Sequence, residues 1–260
     1  MTNNKYFEMN RAGWDQRVKP HFESKFYDVD GFLAGNTSLQ EIELAELSNV
    51  RDKRLLHLQC HFGLDTLSWA RQGAICTGVD ISPVAIQKAR DLTIATKLDT
   101  DFVCSDIYSF ERKVAEPFDI VFTSYGAICW LPDLKKWAEV VASNLRTGGT
   151  FYMAEFHPII ELISGFSYFT QDQPDIDEEG TYTENGGDIV AKLATWPHPL
   201  SNVVNALLGA GIQVECLNEF PYSPYNCFEG MVEREPGRFY LSHKDHDIPI
   251  VYSIKGRKIA

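Results

Sequence analysis

The chain has 260 residues, with 24 Lys plus Arg against 36 Asp plus Glu and a formal net charge of −12. That balance argues against a protein that coats nucleic acid, whose footprint is basic, while 44% hydrophobic and 12% aromatic residues exclude a disordered chain. No apolar run is long enough for a membrane span and residues 1–10 carry no signal-peptide pattern, so a soluble globular protein of one large domain or two small ones is expected.

Residues 1–49 read as a mostly helical preface, in which Phe22 and Phe26 are expected to staple a helix onto the core. From about residue 54 short apolar runs alternate with helix-period segments, the pattern of βαβ units and a parallel sheet. Strands are predicted over 54–59, 74–79 (ended by Asp80), 102–104, 118–123, 150–155, 212–220 and 248–254. Helices are predicted over 64–72, after Ser82-Pro83 (a capping residue followed by Pro at the first helical position), over 134–145 with a stop at Gly148-Gly149, and over 200–210. These make a doubly wound α/β domain of seven strands over 50–260. It is interrupted at 156–198 by an acidic, loop-rich insertion.

Six cysteines, none closer than 11 residues to the next, form no C-x-x-C pair. Cys60, Cys76, Cys104 and Cys129 lie in or beside apolar segments and read as small buried hydrophobes. A reducing, cytoplasmic setting without disulfides is expected.

In an open α/β sheet the ligand lies at the carboxyl ends of the strands. Those ends carry Gln59-Cys60-His61-Phe62-Gly63, Asp80-Ile81, Ser105-Asp106-Ile107 and Ser124-Tyr125-Gly126. A carboxylate ending the second strand suits the two hydroxyls of a ribose. Asp106 is placed to accept from an adenine amino group, and the Ile107 N–H to meet a ring nitrogen. Each alone is also an ordinary cap or turn residue; three in chain order on adjacent strands favour a nucleoside site.

The runs Leu55–Gly63, Gly78–Ser82, Phe118–Phe122 and Leu145–Gly149 resemble the successive motifs of class I S-adenosylmethionine-dependent methyltransferases, over about residues 50–155. The LHLQCHFG run resembles a bacterial subgroup acting on small molecules, as does the opening Asn10, Trp14, Arg17, His21, Ser24, Tyr27. The resemblance implies a Rossmann-like seven-stranded sheet, mostly parallel with an antiparallel last strand. It also implies S-adenosylmethionine as cofactor and a small-molecule acceptor; no nucleic acid or membrane partner is expected, no histidine spacing is a metal signature, and the chain is read as a monomer or homodimer. Under it 1–49 is a cap or lid and 156–198 a substrate cap. Trp14, Arg17, Tyr27, Gln59, Cys60, His61, Gly63, Asp80, Ile81, Asp106, Ile107 and Ser124 would hold the cofactor, with Arg17 on its carboxylate. The first motif departs from the family pattern: His57 stands for the Asp, and Gln59 and His61 for two glycines, so only Gly63 remains.

Tyr125, Glu155 and His157 are the candidates to orient the acceptor or take its proton; alternatively Pro158 merely ends the strand and His157 faces solvent. His198 is a further candidate for the same pocket. His57 reads as a hydrogen-bonded core residue, and His243 and His246 as a solvated turn. The acidic 171–188 run is either a solvated loop or a cover for a cationic or polar substrate. A catalytically inactive methyltransferase-like binding or partner subunit is the alternative function. A nicotinamide dehydrogenase ranks last, because G-x-G-x-x-G is absent after the first strand.

Overall fold

The structure is a computed structural model that describes residues 4–111 and 116–259; the first three residues of the preface, and 112–115 and 260 of the core, lie outside it. Five parallel strands build most of the central sheet: β1 (Arg54–Leu58), β2 (Ile75–Asp80), β3 (Thr100–Cys104), β4 (Phe118–Ser124) and β5 (Leu145–Phe156). Later in the chain come β6 (Asp175–Glu179), β7 (Ala191–Thr195) and β8 (Ile212–Phe220). Three short strands follow, β9 (Tyr222–Ser223), β10 (Val232–Glu235) and β11 (Arg238–Tyr240). The hairpin β12 (Ser242–His243) and β13 (His246–Asp247) precedes the terminal β14 (Val251–Lys258). The seven-stranded sheet has the order β3-β2-β1-β4-β5-β14-β8, and β14 runs antiparallel to both β5 and β8.

Helices cover both faces of this sheet, which is why its strands are apolar almost throughout. They are α1 (Asn4–Phe22), α2 (Val29–Leu33), α3 (Glu41–Glu46), α4 (Leu64–Arg71), α5 (Pro83–Thr96), α6 (Leu134–Asn144), α7 (Ile159–Ile163) and α8 (Leu200–Gly209). On β1, Leu56 joins the cluster of Trp137, Val141 and Leu207, while its neighbour Leu55 joins that of Trp69, Phe122 and Tyr152. The Ser82 hydroxyl accepts from Ala85 N–H with Pro83 in the first turn, so α5 begins where its sequence predicts.

Five expectations need correction. Helix α6 ends at Asn144, and Gly148-Gly149 belong to β5, whose register against β4 shifts between Phe118 and Ile120. The last strand is Val251–Lys258 rather than 248–254; its polar end persists because it pairs with β5 on one side and β8 on the other. The acidic segment contains the hairpin β6–β7, with Asp175 opposite Thr195. Its inner strand packs on α1, where Asn10 exchanges two 2.8 Å hydrogen bonds with the Ala194 backbone. Cys104 is exposed, although all six cysteines are free. Phe26 leaves the core and stacks on Tyr225, 5.4 Å between ring centres. His243 and His246 do face each other in an exposed hairpin. Among the described residues no helix is long and apolar enough to cross a membrane.

Candidate active site

A cavity of about 810 Å3 opens at the carboxyl ends of the parallel strands and is roofed by α1 and the 156–198 segment. Trp14, Arg17 and Tyr27 line it, together with Gln59, Cys60, His61, Gly63, Asp80 and Ile81. So do Asp106, Ile107, Ser124, Tyr125, Glu155, His157 and His198.

The turn after β1 keeps a glycine-like backbone without the glycines. Gln59 has φ 58° and His61 φ 49°, a left-handed conformation that costs a non-glycine residue about 1–2 kcal/mol. The cost is met by contacts: Gln59 Nε2 donates to Ala127 O (2.7 Å) and His61 N–H to Asp80 Oδ2 (2.8 Å). Gln59 Oε1 stays buried with no partner among the described residues. Cys60 is buried, which pushes its thiol up and keeps it protonated. Gly63 has φ 81°, and a Cβ there would lie 2.5 Å from the Phe102 ring. Core packing against Phe102 therefore demands this glycine.

Asp80 accepts from Ser82 N–H through its other oxygen (2.8 Å). Burial, with Asp15 nearby, pushes its carboxyl up to about 6 against the pull of the Ser82 and His61 N–H groups. Asp106 Oδ1 accepts from Tyr108 and Ser109 N–H, both at 3.0 Å, and so caps the short turn that begins at Ile107. Ser124 Oγ lies 3.3 Å from His57 Nε2 and 3.2 Å from Asp65 Oδ2. His57 is a core histidine bonded to Thr66, and burial lowers it to about 3.

The three groups expected to handle the acceptor are already engaged. Tyr125 donates to Glu43 (2.8 Å), a fully buried carboxyl pushed up to about 8 by burial and by the Asp65 charge. Glu155 accepts from the N–H groups of Gly126, Ala127, Ile128 and Phe156 and so holds the loop after β4. His157 is buried rather than facing solvent; its Nδ1 accepts from Ile159 N–H (3.1 Å) and its Nε2 meets Glu219 (2.9 Å). As placed, the ring has no lone pair to present to the cavity.

Arg17 is likewise engaged. Its buried guanidinium donates to the carbonyls of Gly13, Glu179 and Gly180, so it ties α1 to β6 instead of standing free for a carboxylate. Trp14 meets Trp130 and His61 edge-on, each at 5.3 Å. Tyr27 bonds the Tyr182 hydroxyl and stacks on His21. His21, whose residue type alone assigns it no role, joins three elements. Its ring nitrogens lie 3.0 Å from His61 Nε2 and 2.5 Å from Thr181 Oγ1, joining the cap, the first turn and the insertion. Trp14, Arg17 and His21 sit at i, i+3 and i+7 on one helix face, a spacing that marks them as a unit. Tyr182 and Tyr225 also line the cavity, and their irregular segments give no sequence signal.

Residues 55–149 match the family described as a methyltransferase domain. A ubiquinone biosynthesis O-methyltransferase of Saccharophagus degradans is 19% identical over 85% of this chain and 90% of its own. One from Coxiella burnetii is 30% identical over 46% of this chain and 52% of its own. Among solved structures, an S-adenosylmethionine-dependent methyltransferase from Mesorhizobium loti superposes with a TM-score of 0.59 at 19% identity, covering 86% of this chain and 99% of that one. Another, from Clostridium acetobutylicum, gives 0.57 at 13% identity over 99% and 96%. The segment that matches the methyltransferase domain is the one that supplies the first turn, Asp80, Asp106 and Ser124, and the fold is that of solved S-adenosylmethionine-dependent methyltransferases.

Proposed function

We propose that the chain transfers the methyl group of S-adenosylmethionine to a small metabolite bound in the same cavity, with the strand ends holding the donor. Asp80 carries this reading. Each of its oxygens is steadied by one backbone N–H and keeps lone-pair capacity for the two hydroxyls of a ribose. The unpartnered Gln59 Oε1 suits an N–H donor at the amino-acid end. Asp106 Oδ1 is spent on its own turn, which leaves Oδ2 for an adenine amino group. The residues present therefore fit the cofactor.

When bound, S-adenosylmethionine supplies a methyl on a sulfonium, electrophilic enough for direct displacement. The protein's task is then alignment and exclusion of water. Glu155 fixes the 126–128 loop, Glu43 holds the Tyr125 hydroxyl, and His157 orders the start of α7; these are positioning roles. Residues 1–49 and 156–198 act as one cap, joined through Asn10, Arg17 and His21.

Calorimetric titration with S-adenosylhomocysteine, followed by transfer of labelled methyl to a pool of small metabolites, tests the reading. Micromolar or tighter binding with label in a metabolite is expected. Absence of binding refutes the reading, and binding without transfer to any metabolite leaves an inactive binding subunit.

A further inference from the structure

Eight Asp or Glu residues line the cavity, and Arg17 is the single Lys or Arg among the described residues that do so. That guanidinium is consumed by three carbonyls and by Glu179, 3.8 Å away. The four wall histidines His57, His61, His157 and His198 are all lowered by burial and therefore neutral near pH 7. Several of the carboxylates have evident duties: Asp80 and Asp106 at the nucleoside end, Glu155 on its four N–H groups. Glu161, Asp177 and Glu179 come from the insertion, outside the matched domain.

Glu161, in α7, is the telling one. Its carboxylate makes no hydrogen bond or ion pair with any described residue, and the charges that act on it are Asp175, Glu155 and Glu179, all negative. On the wall of the same cavity the hydroxyl of Tyr252, a fully buried residue, has no partner among the described residues, and Glu155, which also acts on Glu161, is its first electrostatic neighbour. Trp130 and Trp196 add aromatic surface to the same cavity. An anionic acceptor would find no counter-ion here, and a neutral one would leave Glu161 facing three carboxylates. A cation satisfies Glu161 by charge, gives the Tyr252 oxygen an N–H to accept, and is favoured by aromatic faces.

We infer that the methyl acceptor is an amine-bearing small molecule, bound as its ammonium against Glu161 and the Tyr252 hydroxyl. This rests on the methyltransferase reading and narrows its substrate class.

The test is calorimetry on the full chain saturated with S-adenosylhomocysteine, using two matched series: 2-phenylethylamine, 2-phenylethanol and phenylacetate; hexylamine, 1-hexanol and hexanoate. In at least one series the amine should bind at least tenfold more tightly than its alcohol, with no heat from the carboxylate. Glu161→Gln, confirmed folded by thermal unfolding, should weaken the amine at least tenfold and leave S-adenosylhomocysteine within threefold. The inference is overturned if an alcohol or carboxylate binds as tightly as its amine, if neither amine binds at millimolar concentration, or if Glu161→Gln changes nothing. Failure of S-adenosylhomocysteine itself to bind overturns the methyltransferase reading instead.

Discussion

Replacing Asp80 by Asn separates two effects of one buried carboxylate. Its ordinary value of 3.8 is pushed up to about 6, chiefly by burial; two units at about 1.4 kcal/mol each amount to about 3 kcal/mol. The folded value lies above the unfolded one, so ionisation opposes folding. The ligand-free protein has the full benefit of the neutral acid below about pH 4 and loses it as pH rises through about 6. Ligand binding runs the other way, since a diol donates better to the anion. S-adenosylhomocysteine affinity should therefore rise through about pH 6 and level off above about 7. Asn keeps the shape but loses the charge, and its NH2 must face either the His61 or the Ser82 N–H. Loss of a charge-assisted bond costs about 1.5–3 kcal/mol, or about 10–100-fold in affinity at neutral pH. Calorimetric titration of both proteins from about pH 5 to about pH 8 reads both effects. Affinity within threefold of the parent at neutral pH, or a pH slope that survives in the Asn variant, would refute the ribose assignment.

Glu155→Gln turns an NH2 toward two of the four N–H groups the carboxylate now satisfies; two lost charge-assisted bonds predict about 3–6 kcal/mol less stability by urea unfolding, and a loss under about 1 kcal/mol would sink the loop-holding role. Gly63→Ala adds a Cβ 2.5 Å from Phe102 at φ 81°, so about 2–5 kcal/mol should be lost and partly restored by Phe102→Leu. Loss of S-adenosylhomocysteine affinity without loss of stability would instead mean that the ligand needs this glycine. His57, lowered from 6.5 to about 3 by burial, contributes stability that is lost as pH falls from 6.5 through about 3. His57→Gln should accordingly flatten the acid limb by one proton, about 1.4 kcal/mol per pH unit, and an unchanged slope would place a charged ring in the fold.

The central sheet was legible because its strands are buried on both faces and read as apolar runs, as in Leu55-Leu56 and Ile120 to Phe122. Strand β10 is exposed at every position and β6 at all but its first, so neither carries a burial pattern to read. The site was legible by position, since strand ends sort the candidates into one cavity. Its chemistry was not. Whether Glu155 meets an acceptor or four backbone N–H groups depends on where the 126–128 loop lies, and composition does not encode that. Gln59 and His61 show the same limit: the residues departed from the glycine pattern while the backbone kept its conformation.

The bonds between Asn10 and Ala194 span 184 positions, and Arg17 reaches carbonyls 162 and 163 positions away. Helix α1 also packs on α5 and meets the turn after β1, which follow it soon in the chain, whereas β6 and β7 emerge only after β1 to β5 have been synthesised. Strands β1 to β4, paired through short crossovers, can assemble before then. The bonds of α1 to the insertion therefore form later than its packing on α5, and the roof of the cavity closes as a late folding event, after the floor beneath it has formed.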